Sequence, residues 1–123
     1  MTDSDSYPSD EWIMRLFGDW FDPCTLSTGE ELRSFDGLGS SWGGENARVF
    51  VNPPYSDPLP WVLHGIKEHK KGKTVVFLLK HDSSTKWYRA LHEAGARFLM
   101  IEGRLRHGTG KPANFPSILA VLA

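Results

Sequence analysis

Apolar positions along the chain fall into short runs of strand length, separated by stretches with helical periodicity. The longest unbroken run is Thr-Val-Val-Phe-Leu-Leu at 74–79, which reads as a strand buried on both faces, as in a parallel sheet. Val49, Phe50 and Val51 form a shorter apolar strand, and 96–101 and 117–123 read as two more. A helix is predicted over 11–17, capped by Asp10, with Trp12, Leu16 and Ile13 on its buried side. A second begins at Asp57-Pro58 and runs to about His69, with Trp61, Val62, Leu63 and Ile66 toward the sheet. A third covers about 85–94, capped by Ser83 or Ser84, with Trp87, Tyr88 and Leu91 inside.

Residues 19–24 read as a short strand stopped by Asp22-Pro23. The stretch 25–47 is weakly patterned and glycine-rich, with room for a short helix over 28–34 and with Trp42 read as core. Strands alternating with helices predict an α/β domain of three layers with a mostly parallel sheet. The last strand follows a loop rather than a helix, so it is expected to pair antiparallel with its neighbour. Residues 1–9 are expected to be a flexible leader, and 10–123 a single domain.

Composition changes this picture only in places. The chain of 123 residues is 40% hydrophobic and 24% charged, which fits a globular domain. No apolar run is long enough to span a bilayer, and the polar, acidic start has no signal-peptide core. The single cysteine, Cys24, excludes an intrachain disulfide and fits a reducing, cytoplasmic compartment. The five histidines are scattered and none is assigned to a metal. Charge is distributed unevenly. Residues 1–46 hold ten acidic and two basic side chains, and residues 47–123 hold five acidic and twelve basic ones, although the whole chain is at −1. A basic half beside an acidic half suits a polyanion on one face, and suits equally a set of lysines that solvates helix surfaces.

The candidate chemistry lies in Arg48-Val49-Phe50-Val51-Asn52-Pro53-Pro54-Tyr55-Ser56. The prolines donate no N–H and fix φ, so the strand must end at Asn52. The rigid end presents an amide oxygen on Asn52, the main-chain carbonyl of Pro53 and the ring of Tyr55. One exocyclic NH₂ can donate to both oxygens, and a planar heterocycle can stack on the tyrosine for about 1–3 kcal/mol. An amine held in this way needs no general base before it attacks a strong electrophile such as a methylsulfonium.

Asn-Pro-Pro-Tyr at a strand end resembles the catalytic motif of S-adenosylmethionine-dependent amino methyltransferases. The ordered series Asp10-Glu11-Trp12, Phe21-Asp22-Pro23-Cys24, Trp42, Val49 to Ser56, Val76-Phe77-Leu78-Leu79, Trp87, Gly103-Arg104-Leu105 and Phe115-Pro116-Ser117 narrows this. It is similar to the phage-type (Dam-like) DNA N6-adenine methyltransferases over nearly the whole chain. The resemblance implies a shortened Rossmann-like methyltransferase fold, S-adenosylmethionine as cofactor, DNA as partner, and host cytoplasm for a phage-encoded chain. It makes Asn52, Pro53, Pro54 and Tyr55 catalytic, with Asp22, Trp12 and Asn52 at the cofactor. Asp22 would accept from the ribose hydroxyls, where the alternative is a turn-forming Asp-Pro. Trp42 would be a wall of the cofactor's adenine pocket if it is not core. The family's Trp-x-Thr-Pro segment is altered, with Met14 and Arg15 at the Thr and Pro positions, which removes a hydroxyl and a rigid turn from the cofactor site. The Gly-x-Gly-x-x-Gly dinucleotide fingerprint is absent.

Lys80, His81 and Lys86 follow the 74–79 strand and are candidates for DNA phosphates, as are Arg104, Arg106, His107 and Lys111 in the glycine-rich loop before the last strand. The lysines at 67–73 are read instead as complements to a helix dipole. A homodimer that clamps DNA between two copies is compatible with a chain this short. Rival readings are methylation of an RNA base or a glutamine amide, and a non-catalytic module that binds DNA or a partner.

Overall fold

Among the described residues, four strands and three helices account for the apolar runs. They are α1 (Glu11–Phe17), β1 (Arg48–Val51), α2 (Leu59–Lys70), β2 (Thr74–Lys80), α3 (Lys86–Glu93), β3 (Arg97–Met100) and β4 (Ser117–Leu122). The structure is a computed structural model that describes residues 11–24, 37–54, 56–101 and 116–123. The expected helix over 28–34, the Asp10 cap and the leader lie outside the described residues.

The sheet order is β1-β2-β4-β3. β1 pairs parallel with β2, with Val51 opposite Phe77. β4 pairs antiparallel with β2 and with β3 on its other side. Three strands therefore run in one direction, but the expectation of a mostly parallel sheet needs correction, because β4 is inserted between β2 and β3 and two of the three ladders are antiparallel. The antiparallel last strand is as expected.

Side chains alternate across the sheet, and each face has its own cover. On one face Val49, Val51, Val75, Phe77, Leu79, Ile118, Ala120 and Leu122 meet Trp61 and Val62 of α2 and Trp87 and Leu91 of α3. On the other, Phe50, Val76, Leu78 and Leu119 meet Ile13, with Phe17 and Trp20 packed against them. This is the three-layer α/β arrangement.

One helix presents a different face from the one expected, and a second keeps Trp61, Val62 and Ile66 inward but not Leu63. In α1, Ile13 is fully buried, while Trp12 and Leu16 are exposed. The 11–17 stretch contains two apolar i,i+4 pairs, Trp12/Leu16 and Ile13/Phe17. The second is the one that docks, with Phe17 stacked on Phe50 at 4.8 Å. In α2, Leu63 points out, and Gly65 and Glu68 are buried beside Trp61 and Val62. Gly65 lets the helix approach β2 closely, since a Cβ there would collide with the Phe77 ring and lie 3.2 Å from Trp42 Cζ3.

Glu68 is the centre of a buried polar network at the start of β2. Its carboxylate accepts from the Trp42 backbone N–H at 2.7 Å, from Lys71 Nζ at 3.0 Å and from Lys73 Nζ. Lys73 also donates to Ser41 Oγ at 2.8 Å. Burial works against ionisation, but the hydrogen bonds from Lys73, the Trp42 N–H and Lys71 outweigh it and hold Glu68 at about 2. Lys73 is therefore a buried ion-pair partner, which corrects its reading as a dipole complement on the surface. Trp42 is core as expected, fully buried with its indole N–H on the Gly37 carbonyl.

Candidate active site

Where parallel strands end together, their following loops share one edge, and open α/β sheets bind ligands there. β1 ends at Val51 and β2 at Lys80 on the same edge. Asn52 and the loop after Lys80 emerge side by side, as the sequence implied. β3 runs in the same direction, so it too ends at this edge.

A further segment joins the edge from the other side of β1. Phe21 makes a parallel bridge with Val49. Its N–H donates to the Arg48 carbonyl at 3.0 Å, and its own carbonyl accepts from the Phe50 N–H at 2.9 Å. The strand expected over 19–24 is thus reduced to this one bridge, because Pro23 cannot extend a ladder and the backbone at Pro23 and Cys24 is helical. The bridge still sets Asp22 at the edge where Asn52 emerges. Cys24 ties the two together. Burial pushes its thiol well above the usual range, the charge of Asp22 adds to that, and a hydrogen bond from the Asn52 backbone opposes it. Asp22 is half-buried, Pro53 is buried, and Asn52 and Pro54 are half-buried. The Asn52 side-chain amide has no hydrogen-bond partner among the described residues.

Beside this strand end lies a cleft of about 240 Å³. Its apolar lining is Pro53, Pro58, Leu79 and Trp87, and its polar lining is Ser56, Lys80, Asp82 and Thr85. The loop after β2 shapes one side. Asp82 Oδ1 accepts from the Ser84 N–H at 3.0 Å and from Ser84 Oγ, and these two bonds lower the carboxyl below its ordinary range. Lys80 Nζ stands 4.0 Å from the other oxygen, Oδ2. Thr85 caps α3 by accepting from the Tyr88 N–H at 3.2 Å, and its own hydroxyl donates to the Asp82 carbonyl at 2.8 Å. The expected caps, Ser83 and Ser84, are not used in this way, because Ser84 is engaged by Asp82.

Of the residues singled out in the sequence, the structure brings Asp22, Asn52, Pro53 and Lys80 to one edge. His81 follows Lys80, held by its N–H on the Pro116 carbonyl at 2.9 Å, and Lys86 is exposed at the first turn of α3. Trp12 is 40% exposed on α1, not buried as expected. Tyr55, Arg104, Arg106, His107 and Lys111 lie outside the described residues. The sequence reading assigned no role at the site to Ser56, Asp82, Thr85 or Trp87, although their position after two parallel strands was a usable signal.

Among the described residues no group of three His, Cys, Asp or Glu side chains could hold a metal ion. Among the same residues no helix is long and apolar enough to cross a membrane.

The family model described as DNA N-6-adenine-methyltransferase (Dam) matches residues 32–115. A DNA N-6-adenine-methyltransferase of Haemophilus phage HP1 (strain HP1c1) is 32% identical over 99 residues, covering 71% of this chain and 56% of the relative. One of Escherichia phage T1 is 34% identical over 64 residues, covering 52% of this chain and 27% of that protein. The chain thus spans about half the length of the first of these relatives and about a quarter of the second. No solved structure matches it at a comparable level of significance. The matched region contains Asn52-Pro53-Pro54-Tyr55, the cleft and the loop after β2, and the chain belongs to the DNA N-6-adenine-methyltransferase (Dam) family.

Proposed function

We propose that this chain transfers a methyl group from S-adenosylmethionine to the N6 amino group of adenine in DNA, on a shortened Rossmann-like methyltransferase fold. The observation that carries the reading is the emergence of Asn52 and Pro53 at the end of β1, against a cleft the size of one heterocycle. The names of the phage relatives point the same way.

The residues suit the cofactor. Asp22 supplies an acceptor-only carboxylate for two ribose hydroxyls, close to Asn52 through Cys24. When bound, the cofactor supplies a methyl group on a sulfonium, an electrophile strong enough for a neutral amine.

The chain's own residues then orient and exclude. The Asn52 amide oxygen and the Pro53 carbonyl accept the two N6 protons, which turns the nitrogen lone pair toward the methyl. As the new N–C bond forms, the old S–C bond breaks and one N6 proton leaves to solvent. The two acceptors stabilise the positive charge that develops on the amine. Tyr55 stacks the base, which has first left the duplex at a cost of a few kcal/mol. Lys80, His81 and Lys86 bind phosphates at the mouth, joined by Arg104, Arg106, His107 and Lys111. Lys86 is a cation in the first turn of a helix with no acidic residue there, against the dipole by about 0.3–1 kcal/mol, a placement that an anionic ligand corrects. The reaction takes place in the cytoplasm, where the DNA is.

Calorimetric titration with S-adenosylmethionine tests the cofactor half. Saturable binding by the wild type, weakened in Asp22→Ala, supports the reading. A folded wild type that binds no cofactor at millimolar concentration, with or without DNA, removes it in favour of a binding module.

A further inference from the structure

One residue of the cleft's lining carries a buried donor with no acceptor among the described residues. Trp87 is only 8% exposed, lines the cleft, and its indole N–H has no acceptor among the described residues. A buried indole N–H usually has a partner, and leaving one without is costly. Trp42 shows the usual arrangement, with its N–H on the Gly37 carbonyl. Trp61 also lacks an acceptor among the described residues, but it packs in the core against Trp42 and does not line the cleft.

The other polar groups of the described lining each have a partner within the chain. Thr85 both donates and accepts within the chain, Asp82 is held by Ser84, Lys80 stands beside Asp82, and Ser56 also has a partner. Among the described residues of the lining, the Trp87 N–H is the buried donor without an acceptor.

The size of the cleft narrows the ligand. At about 240 Å³ it is smaller than the roughly 300–1,000 Å³ typical of pockets for drug-sized ligands. Its volume suits one heterocycle beside the apolar side chains of Pro53, Pro58, Leu79 and Trp87. Asn52 and Pro53 offer acceptors only to an amine, and a flipped base is read by hydrogen bonds along its edge. Adenine carries ring-nitrogen acceptors beside a donor amine. Guanine presents a carbonyl at the amine position and an N–H at the ring position next to it, so acceptors facing the first and a donor facing the second would both be mismatched.

Resting on the methyl-transfer reading above, we propose that the Trp87 indole N–H donates to a ring nitrogen of the target adenine. Trp87 is thus a specificity-determining residue that completes the recognition begun by Asn52 and Pro53 at the amine.

The test is a cycle of Trp87→Phe against DNA in which the target adenine is replaced by 1-deaza-, 3-deaza- or 7-deazaadenine, each exchanging one ring nitrogen for C–H. With wild type, one of the three should lose about tenfold in kcat/KM, the share of one neutral hydrogen bond. Trp87→Phe should lose about tenfold on adenine and nothing further on that same analogue. Losses that multiply on all three analogues, or a Trp87→Phe enzyme within about twofold of wild type on adenine, would overturn the proposal. If Trp87→Phe fails to fold by circular dichroism, the wild-type series decides alone, and equal rates on all three analogues overturn it. A wild type that methylates no adenine removes the parent reading and this inference with it, an outcome distinct from an active enzyme whose cycle shows no coupling.

Discussion

The two ends of the β1–β2 pair are built on opposite principles. At the start of β2, Glu68, Lys73, Ser41 and the Trp42 N–H satisfy one another in a closed network. At the other end, Asn52 and Trp87 keep polar groups without partners among the described residues beside an open cleft. A buried polar group is costly unless bonded, so the first end is explained by the fold alone. The second is not closed among the described residues, and the binding reading proposed above accounts for it. The difference teaches that charge and burial do not by themselves mark a site in this protein. The most buried ion pair among the described residues, Glu68–Lys73, is structural, and the candidate edge is marked by polar groups without partners among the described residues.

Removing one partner at the closed end should have the largest effect on stability. Lys73→Met leaves Glu68 buried and short of its main partner, and should cost about 3–5 kcal/mol in urea unfolding. The same pair sets an acid limit. Glu68 is held at about 2 against an ordinary 4.5, so its contribution is complete above about 4.5 and is lost as pH falls through about 2. Thermal melts from pH 6 to 2 should show this decline in wild type, and a Glu68→Gln/Lys73→Met double variant should lack that part of it.

Gly65→Ala should come next, at about 1–3 kcal/mol, because its methyl group meets Phe77 on the β2 ladder and neither can move freely. Thr85→Ala removes the cap of α3 and should cost about 1 kcal/mol by the same unfolding measurement. Because Thr85 also lines the cleft, it should raise KM more than Gly65→Ala does, which separates the open end from the scaffold.

The legible and illegible parts of the sequence divide along the same line. The strands at 49–51, 74–79 and 117–123 were readable because local apolar runs are enough to define them. Asn52-Pro53 was readable because two prolines must end a strand. The face of α1 was not, since Trp12/Leu16 and Ile13/Phe17 have the same spacing and only docking on Phe50 distinguishes them. Lys73 was hidden in a run of surface lysines, because its partner Glu68 reaches it only through the turn after α2. The insertion of β4 between β2 and β3 has no local signature, as pairing partners are chosen by the whole sheet. The placement of Asp22 and Asn52 at one sheet edge was readable from chain position and motif, whereas the cleft shared by Asp82, Thr85 and Trp87 was not, because it exists only once α3 is packed on β2.

Asn52→Ala should change stability least and activity most. It removes a side chain with no partner among the described residues, so Tm should stay within about 2 °C of wild type. The decisive measurement is mass spectrometry of nucleosides from DNA incubated with S-adenosylmethionine and each protein. The account predicts N6-methyldeoxyadenosine from wild type, and a rate lower by about 100- to 1,000-fold from Asn52→Ala at unchanged Tm. Equal product from both proteins, or none from a folded wild type that binds the cofactor, would contradict it.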